Sequence, residues 1–340
     1  MNPNYDINEL YSKIRGKKIL LLFLLTLALL AMIFLSICLG AVPISIQDIF
    51  NPDSRLGALI FNVRVPRVLM AVMAGICLAI AGTMMQGILR NPLASPYVLG
   101  IAAGASFGAA LAIALGLQFV LGKYALFMLA FIFSLITMFM VYGLASKHEA
   151  SVETLILAGI AIGSLFNALV SFLIFISGES VYGIIFWIMG GLWSSSWEQI
   201  YIILPILSIG FIIALWFSWD MNALSMGDEM ATNLGVNVKL SKVFLLTLAS
   251  ILTAVTISIT GTIGFIGLVA PHIARMIIGT DNRFLIPASG LIGAMVLLPS
   301  DTLSRTIINP AEIPVGIITS MIGVPFFVYL LLKKRKGWWA

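Results

Sequence analysis

Apolar stretches about as long as a bilayer is thick follow one another along nearly the whole chain, and no other feature limits its fold as much. A helix needs roughly 20 apolar residues to cross the hydrocarbon core. Charges and Pro/Gly breaks divide the sequence into approximate spans 19–41, 66–89, 95–116, 123–146, 153–177, 199–219, 241–261, 263–279, 285–300 and 314–332. Residues 180–196 are apolar but too short to cross comfortably, and predict an extracytoplasmic or re-entrant helix. Two spans are crowded into 241–279, with Gly261, Gly264, Gly267 and Pro271 weakening the second. The fold class that follows is an all-α polytopic membrane protein of about ten transmembrane helices. Its 340 residues form one domain, with an N-terminal segment 1–18, a long loop 220–240 and a tail 333–340. Hydrophobic residues make up 61% and charged residues 10%, against about 25% charged in a soluble domain. A water-soluble globule and a disordered chain are both excluded.

Orientation follows from Lys and Arg, which favour the cytoplasmic side. With the N-terminus inside and ten spans, only Arg55, Arg64, Arg67, Lys123 and Arg305 of the 19 basic residues face outward. Both termini are therefore predicted to be cytoplasmic, including the basic run 333–336. The clusters between spans account for the net charge of +5 without a nucleic-acid partner. The basic segment Lys13, Arg15, Lys17 and Lys18 precedes an apolar run with no A-x-A cleavage pattern, which predicts an uncleaved first span. All 14 acidic residues fall in loops or at span ends, whereas a proton-driven carrier usually needs a carboxylate at mid-membrane. No G-x-x-x-x-G-K-[ST] occurs, so any nucleotide hydrolysis belongs to another subunit.

Several local patterns have ordinary packing explanations. Gly100, Gly104 and Gly108 recur every four residues, as do Gly159 and Gly163, which predicts close helix packing inside one subunit, with a dimer seam as the alternative. The string Gly104-Ala105-Ser106-Phe107-Gly108 matches G-x-S-x-G, but it lies within a predicted helix and not at a strand-to-helix turn. His272 after Pro271 reads as a helix residue at a break. Cys38 and Cys77 lie in apolar stretches and pack as small hydrophobes. No catalytic residue and no metal ligand is predicted.

Four segments are far more specific. They are Arg64-Val-Pro-Arg67 followed by Gln86-Gly-Ile-Leu-Arg-Asn-Pro-Leu-Ala-Ser-Pro-Tyr-Val-Leu-Gly100; Met226-Gly-Asp-Glu-Met-Ala-Thr-Asn-Leu-Gly-Val236; Gly261-Thr-Ile-Gly-Phe-Ile-Gly-Leu-Val-Ala-Pro-His-Ile-Ala-Arg275; and Ala311-Glu-Ile-Pro-Val-Gly316 with Gly323-Val-Pro-Phe-Phe. Together, and in this order, they resemble the FecCD family of ABC importer permeases, which serve ferric siderophores, haem and cobalamin. The resemblance runs from about residue 20 to 335. It implies a type II importer fold, a homodimer of this chain, two cytoplasmic ATPase subunits that hold ATP and Mg, and an extracytoplasmic substrate-binding protein. It implies no cofactor in the chain itself.

The same resemblance assigns roles by position. Gly227, Asp228, Glu229, Ala231, Leu234 and Gly235 match the coupling helix that meets the ATPase. Two acidic residues opening a short helix-forming run suit the positive end of a helix, although a charged loop in solvent is the ordinary alternative. Asn91 and Leu93 match a cytoplasmic gate, where Asn-Pro is also plain turn chemistry, and 148–154 a second gate layer. Arg64, Arg67 and Arg305 match arginines that dock glutamates of the binding protein, in keeping with the bidentate pairing arginine offers. Interfacial anchoring is the alternative. Spans five, eight and ten are implied to line the pathway, with Ser164, Asn167, Ser171, Thr319 and Ser320 among their polar groups. The function implied is import of a metal chelate into the cytoplasm, a ferric siderophore first, with cobalamin, haem or an oxyanion such as molybdate behind. The rival is a secondary carrier or channel driven by an ion gradient without an ATPase.

Overall fold

The computed structural model describes residues 7–40, 42, 54–120, 122, 124–146, 152–308 and 310–332. Lys123, most of the 148–154 gate layer, and the tail 333–340 lie outside the described residues. Every regular element among those described is a helix. In chain order they are α1 (Ile7–Cys38), α2 (Val65–Ile88), α3 (Ile101–Ala114), α4 (Ala125–Ser146), α5 (Val152–Ile176), α6 (Val181–Met189), α7 (Trp197–Trp216), α8 (Ser218–Ser225), α9 (Asp228–Asn233), α10 (Val238–Thr260), α11 (Ile266–Ile278), α12 (Asn282–Ser304) and α13 (Val315–Leu332). A helical turn at Arg55–Leu59 and a π-helical turn at Ile60–Arg64 lead directly into α2. Among the described residues seven helices (α1, α2 with that extension, α4, α5, α7, α10 and α12) are long and apolar enough to cross a membrane. With the shorter apolar helices α3, α11 and α13 they match the ten spans read from hydropathy, and α6 falls in the re-entrant stretch.

Burial separates the bundle into core and periphery. The apolar windows of α2 and α10 are each 78% buried and that of α12 is 67% buried, against 11% for α1. The helix pair in broadest contact is α2 with α12. Lipid gives no hydrophobic drive for helices to associate, so close packing has to come from small residues. A Cβ at Gly75 would overlap the backbone of Gly293, one at Gly82 the carbonyl of Gly267, and one at Gly108 the carbonyl of Leu129. The regularly spaced glycines of α3 and α5 thus pack within the chain. Ser106 of the G-x-S-x-G string is buried in the middle of α3.

Helices α3 and α11 have 14 and 13 residues, about 20 Å each and short of the hydrocarbon thickness. Irregular backbone completes each path, and inside a membrane such backbone survives only where protein satisfies its polar groups. Tyr97, in the 3-10 turn before α3, donates its hydroxyl to the Ile263 carbonyl at 2.6 Å in the break before α11. The Gly191 amide donates to the Thr260 carbonyl at 2.7 Å, and Thr262 Oγ1 donates to the Ile188 carbonyl. The end of α6 therefore seals the break between α10 and α11. Phe265 turns the chain at φ 67°, and its ring lies where a side chain at Gly323 would stand.

The predicted break at Pro271 is absent: α11 runs through it to Ile278. Proline cannot donate to the carbonyl four residues earlier, which is that of Gly267, and this carbonyl faces Gly82 of α2 at backbone contact. The break lies instead at Gly261–Phe265. Helix α1 likewise starts at Ile7, well before the apolar run, so Lys13 to Lys18 extend the helix beyond the span. Gly82→Ala is expected to cost about 1–3 kcal/mol through overpacking. Thermal denaturation of the detergent-solubilised variant checks this, and an unchanged midpoint would mean that α2 and α11 do not meet so closely.

Candidate functional site

At one end of the bundle, α8 and α9 form a bracket lying across the ends of the core helices. Gly227 and Gly235 flank α9 at φ 119° and 86°, conformations that glycine adopts without steric cost. Between them Ala231 is fully buried, while Met226, Met230 and Leu234 are 70%, 50% and 61% exposed. Met230 and Leu234 are four residues apart and so lie on one side of α9, whereas Met226 is exposed before the bend at Gly227. Glu229 is exposed beside them.

Polar contacts fasten this bracket to three core helices. Asp228 accepts from Lys242 Nζ of α10 at 2.6 Å and pairs with the Arg90 guanidinium just beyond α2. Arg90 Nε donates to the Leu224 carbonyl at 2.8 Å, and Arg90 itself has φ 44°, a conformation uncommon for a non-glycine residue. Ser241 of α10 donates to Asp220 of α8 at 2.7 Å. Asn222 of α8 donates to the Asp281 carboxylate at 3.0 Å and accepts from the Asn282 amide at 2.9 Å, where α12 begins. Burial pushes the Asp228 carboxyl up, but Lys242 and Arg90 outweigh it and hold it below its ordinary value. Burial acts the same way on Asp281, and Arg283 and Asn222 bring it down to about 2. Both carboxylates stay ionised at neutral pH. The stability they lend is present above their unfolded pKa and is lost as pH falls through the lowered folded one.

Asn91 and Leu93 follow Arg90 directly. The Asn91 side chain accepts from the Leu93 amide at 2.9 Å, closing an Asx turn, and Leu93 is 41% exposed. Five of the six residues assigned to the coupling helix, all but the buried Ala231, line its turns or its exposed side. The structure brings the set to within one ion pair of the turn at 91–94. Arg90, Lys242 and Asn222 were not singled out by the sequence. A basic residue closing a helix before Asn-Pro was the one local signal for Arg90.

The opposite end departs from expectation. Arg64, Arg67 and Arg305 are predicted on an exposed rim, yet they are 5%, 6% and 4% exposed. Arg64 donates to the carbonyls of Ile37 (2.9 Å) and Cys38 (3.2 Å), and to that of Val42. Arg67 donates from Nε to Asp301 at 2.9 Å and from a terminal nitrogen to Glu312 at 2.8 Å. Arg305 lies 3.4 Å from Asp301 and donates to Ser36 Oγ at 2.7 Å. Asp301, 0% exposed, thus sits between two guanidiniums. The cluster ties the ends of α1, α2 and α12 to the loop before α13. Charges taken out of water must find partners, and here each guanidinium has an internal carboxylate or carbonyl partner, while Arg67 Nη2, Arg305 Nε and Asp301 Oδ2 stay without a hydrogen bond. Asp301 and Glu312 had no place in the sequence assignment.

Other candidates fall in place as packing. His272 is buried on α11 with its ring edge-on to Phe326 at 6.4 Å. Among the described residues no group of His, Cys, Asp and Glu is arranged to hold a metal. On α5, Ser164, Asn167 and Ser171 share one exposed face, whereas Thr319 of α13 is buried and donates to the Gly316 carbonyl.

The profile of the FecCD transport family matches residues 28–333. The hemin transport system permease protein HmuU of Yersinia pestis is 40% identical over 303 residues, 88% of this chain and 91% of HmuU. The cobalamin import system permease protein BtuC of Halobacterium salinarum is 40% identical over 287 residues, 84% of this chain and 76% of BtuC. A solved inward-facing structure, assigned to the metal-chelate type of ABC transporter, superposes with a TM-score of 0.85 at 36% identity, covering 92% of this chain and 99% of its own.

Removing Arg67 would leave Asp301 buried beside Arg305 alone. Arg67→Leu is expected to cost about 3–5 kcal/mol, and Glu312→Gln, at the half-exposed edge, under about 1 kcal/mol. Thermal denaturation of the two variants in detergent tests the order, and a larger loss in Glu312→Gln would contradict it.

Proposed function

The chain belongs to the FecCD transport family, and on that footing we propose that it is the membrane subunit through which a homodimeric ABC importer passes a ferric siderophore into the cytoplasm. At the coarser level, it is a multi-pass permease subunit of an importer for metal chelates. Cobalamin, haem, ferric citrate and molybdate permeases are all among its relatives, so selection among such cargoes is assigned to a separate binding protein outside. Energy comes from two cytoplasmic ATPase subunits. Both termini lie in the cytoplasm, by the bias of Lys and Arg.

One observation carries the mechanism: Met230 and Leu234 of α9 and its C-terminal turn, with Met226 just before it, are exposed while Asp228 ties α9 to Arg90, the residue before the turn at Asn91–Leu93. A partner that grips the apolar side and moves it pulls on α2, α10 and α12 through Arg90, Lys242 and Asn222. Because Arg90 leads into the Asn91 turn, that displacement reaches the cytoplasmic gate without crossing a flexible loop. Closure of the ATPase pair is then a population shift imposed by a partner, which favours the arrangement whose contacts with α9 are stronger.

The exposed face of Ser164, Asn167 and Ser171 supports the homodimer. An amide facing lipid is costly, and a second copy or a water-filled path between copies removes that cost. Docking of the binding protein is placed at the Arg67 end. The three arginines outnumber Asp301 and Glu312 there, and that net positive field would steer an acidic partner, which speeds encounter more than it adds affinity.

Glu229→Arg, or deletion of 228–234, is expected to abolish transport-coupled ATPase activity in the reconstituted assembly while the permease dimer remains folded by size-exclusion chromatography. Coupled turnover at the parental rate in a folded variant would remove α9 from this role.

A further inference from the structure

A cleft of about 420 Å3 opens beside the coupling bracket, between the end of α2, the last turn of α11 and the start of α12. Two guanidiniums, those of Arg90 and Arg275, line it, and no acidic side chain does. Arg275 forms no ion pair among the described residues. Its one hydrogen bond given by the structure runs to the Gln86 carbonyl oxygen at 3.1 Å, and Gln86 is itself held by donating to the Leu268 carbonyl at 3.3 Å. Arg90 is oriented by the Leu224 carbonyl and shares Asp228 with Lys242. That carboxylate therefore serves two cations, and the cleft carries an excess of positive charge. A guanidinium has five donors in a rigid fork, so a single bond to the neutral Gln86 side chain leaves most of the Arg275 donors unspent.

The surroundings match an anion with several acceptor oxygens. Thr280 stands exposed at the lip. Met276 and Ile277, beside Arg275 on α11, are 52% and 44% exposed and offer an apolar track leading away from the cleft. Basic pockets between transmembrane helices suit phosphate headgroups, and arginine matches phosphate geometry in bidentate fashion. We propose that this cleft binds a phosphate-class anion between Arg275 and Arg90. A phospholipid headgroup and free inorganic phosphate share that chemistry. Binding here would rest on Arg90, the residue that also holds Asp228, so an occupant would stiffen the attachment of α9. The binding itself does not depend on what the transporter carries.

The test uses the full chain, delipidated in mild detergent and followed by native mass spectrometry. It is titrated separately with dioctanoyl phosphatidylglycerol, with inorganic phosphate, and with dioctanoylglycerol, which lacks the phosphate. One equivalent of the phospholipid bound without inorganic phosphate identifies a headgroup site; binding of inorganic phosphate identifies a soluble-anion site. Either supports the proposal if Arg275→Gln weakens it by roughly tenfold or more and Arg275→Lys restores part of it. Thr280→Glu adds a carboxylate at an exposed position that packing does not fix, and is expected to weaken binding without disturbing the fold. The proposal is overturned if dioctanoylglycerol binds as well as the phospholipid, if no phosphate-bearing probe binds, or if Thr280→Glu binds like the parent.

Discussion

Inside a bilayer no water is present to satisfy an open peptide group, and the architecture follows from that constraint. Helices satisfy it locally, which is why the described residues are helical nearly throughout. The informative places are those where the helix stops. The break at Gly261–Phe265 survives because Tyr97, Gly191 and Thr262 close its hydrogen bonds with the turn before α3 and the end of α6. Three non-helical segments thus solve one problem together, and none would be stable there alone. The same economy explains Pro271, whose missing donor frees a carbonyl that lies against Gly82.

Polar side chains are spent at the two ends, in different ways. At the Arg67 end, charges are buried and paired with one another, a clasp joining α1, α2, α12 and the loop before α13, although Arg67 Nη2, Arg305 Nε and Asp301 Oδ2 have no hydrogen bond. At the α9 end, the ion pairs are partly exposed and join a small bracket to three core helices, while apolar side chains are left facing outward. The first arrangement is a clasp closed on itself; the second leaves a small bracket joined to the core by partly exposed ion pairs, and the coupling role proposed for α9 rests on that difference.

Much of this was legible in the sequence. The apolar runs and their charged borders gave the crossings, including the short stretch that became α6, and the four motifs placed α9 and the Asn91 turn. Periodicity reports which faces are apolar but carries no signal for where two backbones touch. The contact of Gly82 with Gly267 is therefore visible only in three dimensions, and of the residues read as weakening this region, Gly261 and Gly264 lie in the break while Gly267 and Pro271 sit within α11. The burial of the three arginines was not legible for a related reason: a basic residue near a span end reads as exposed unless its distant partner is known. Asp301 and Glu312 lie more than 230 positions from Arg67, so their pairing left no local trace. Arg90 and Asn222 escaped for the same reason, since their importance lies in what they join.

The account stands on the claim that this chain moves its cargo with energy delivered by another subunit. The direct measurement is to tag the full chain, extract it from its native membrane under several mild detergents, and identify what remains bound in stoichiometric amount. The account predicts a P-loop ATPase at one copy per copy of this chain, with the permease present as a dimer. If the chain emerged alone under every mild condition and vesicles containing only this protein accumulated substrate on a proton or sodium gradient, the claim would be contradicted.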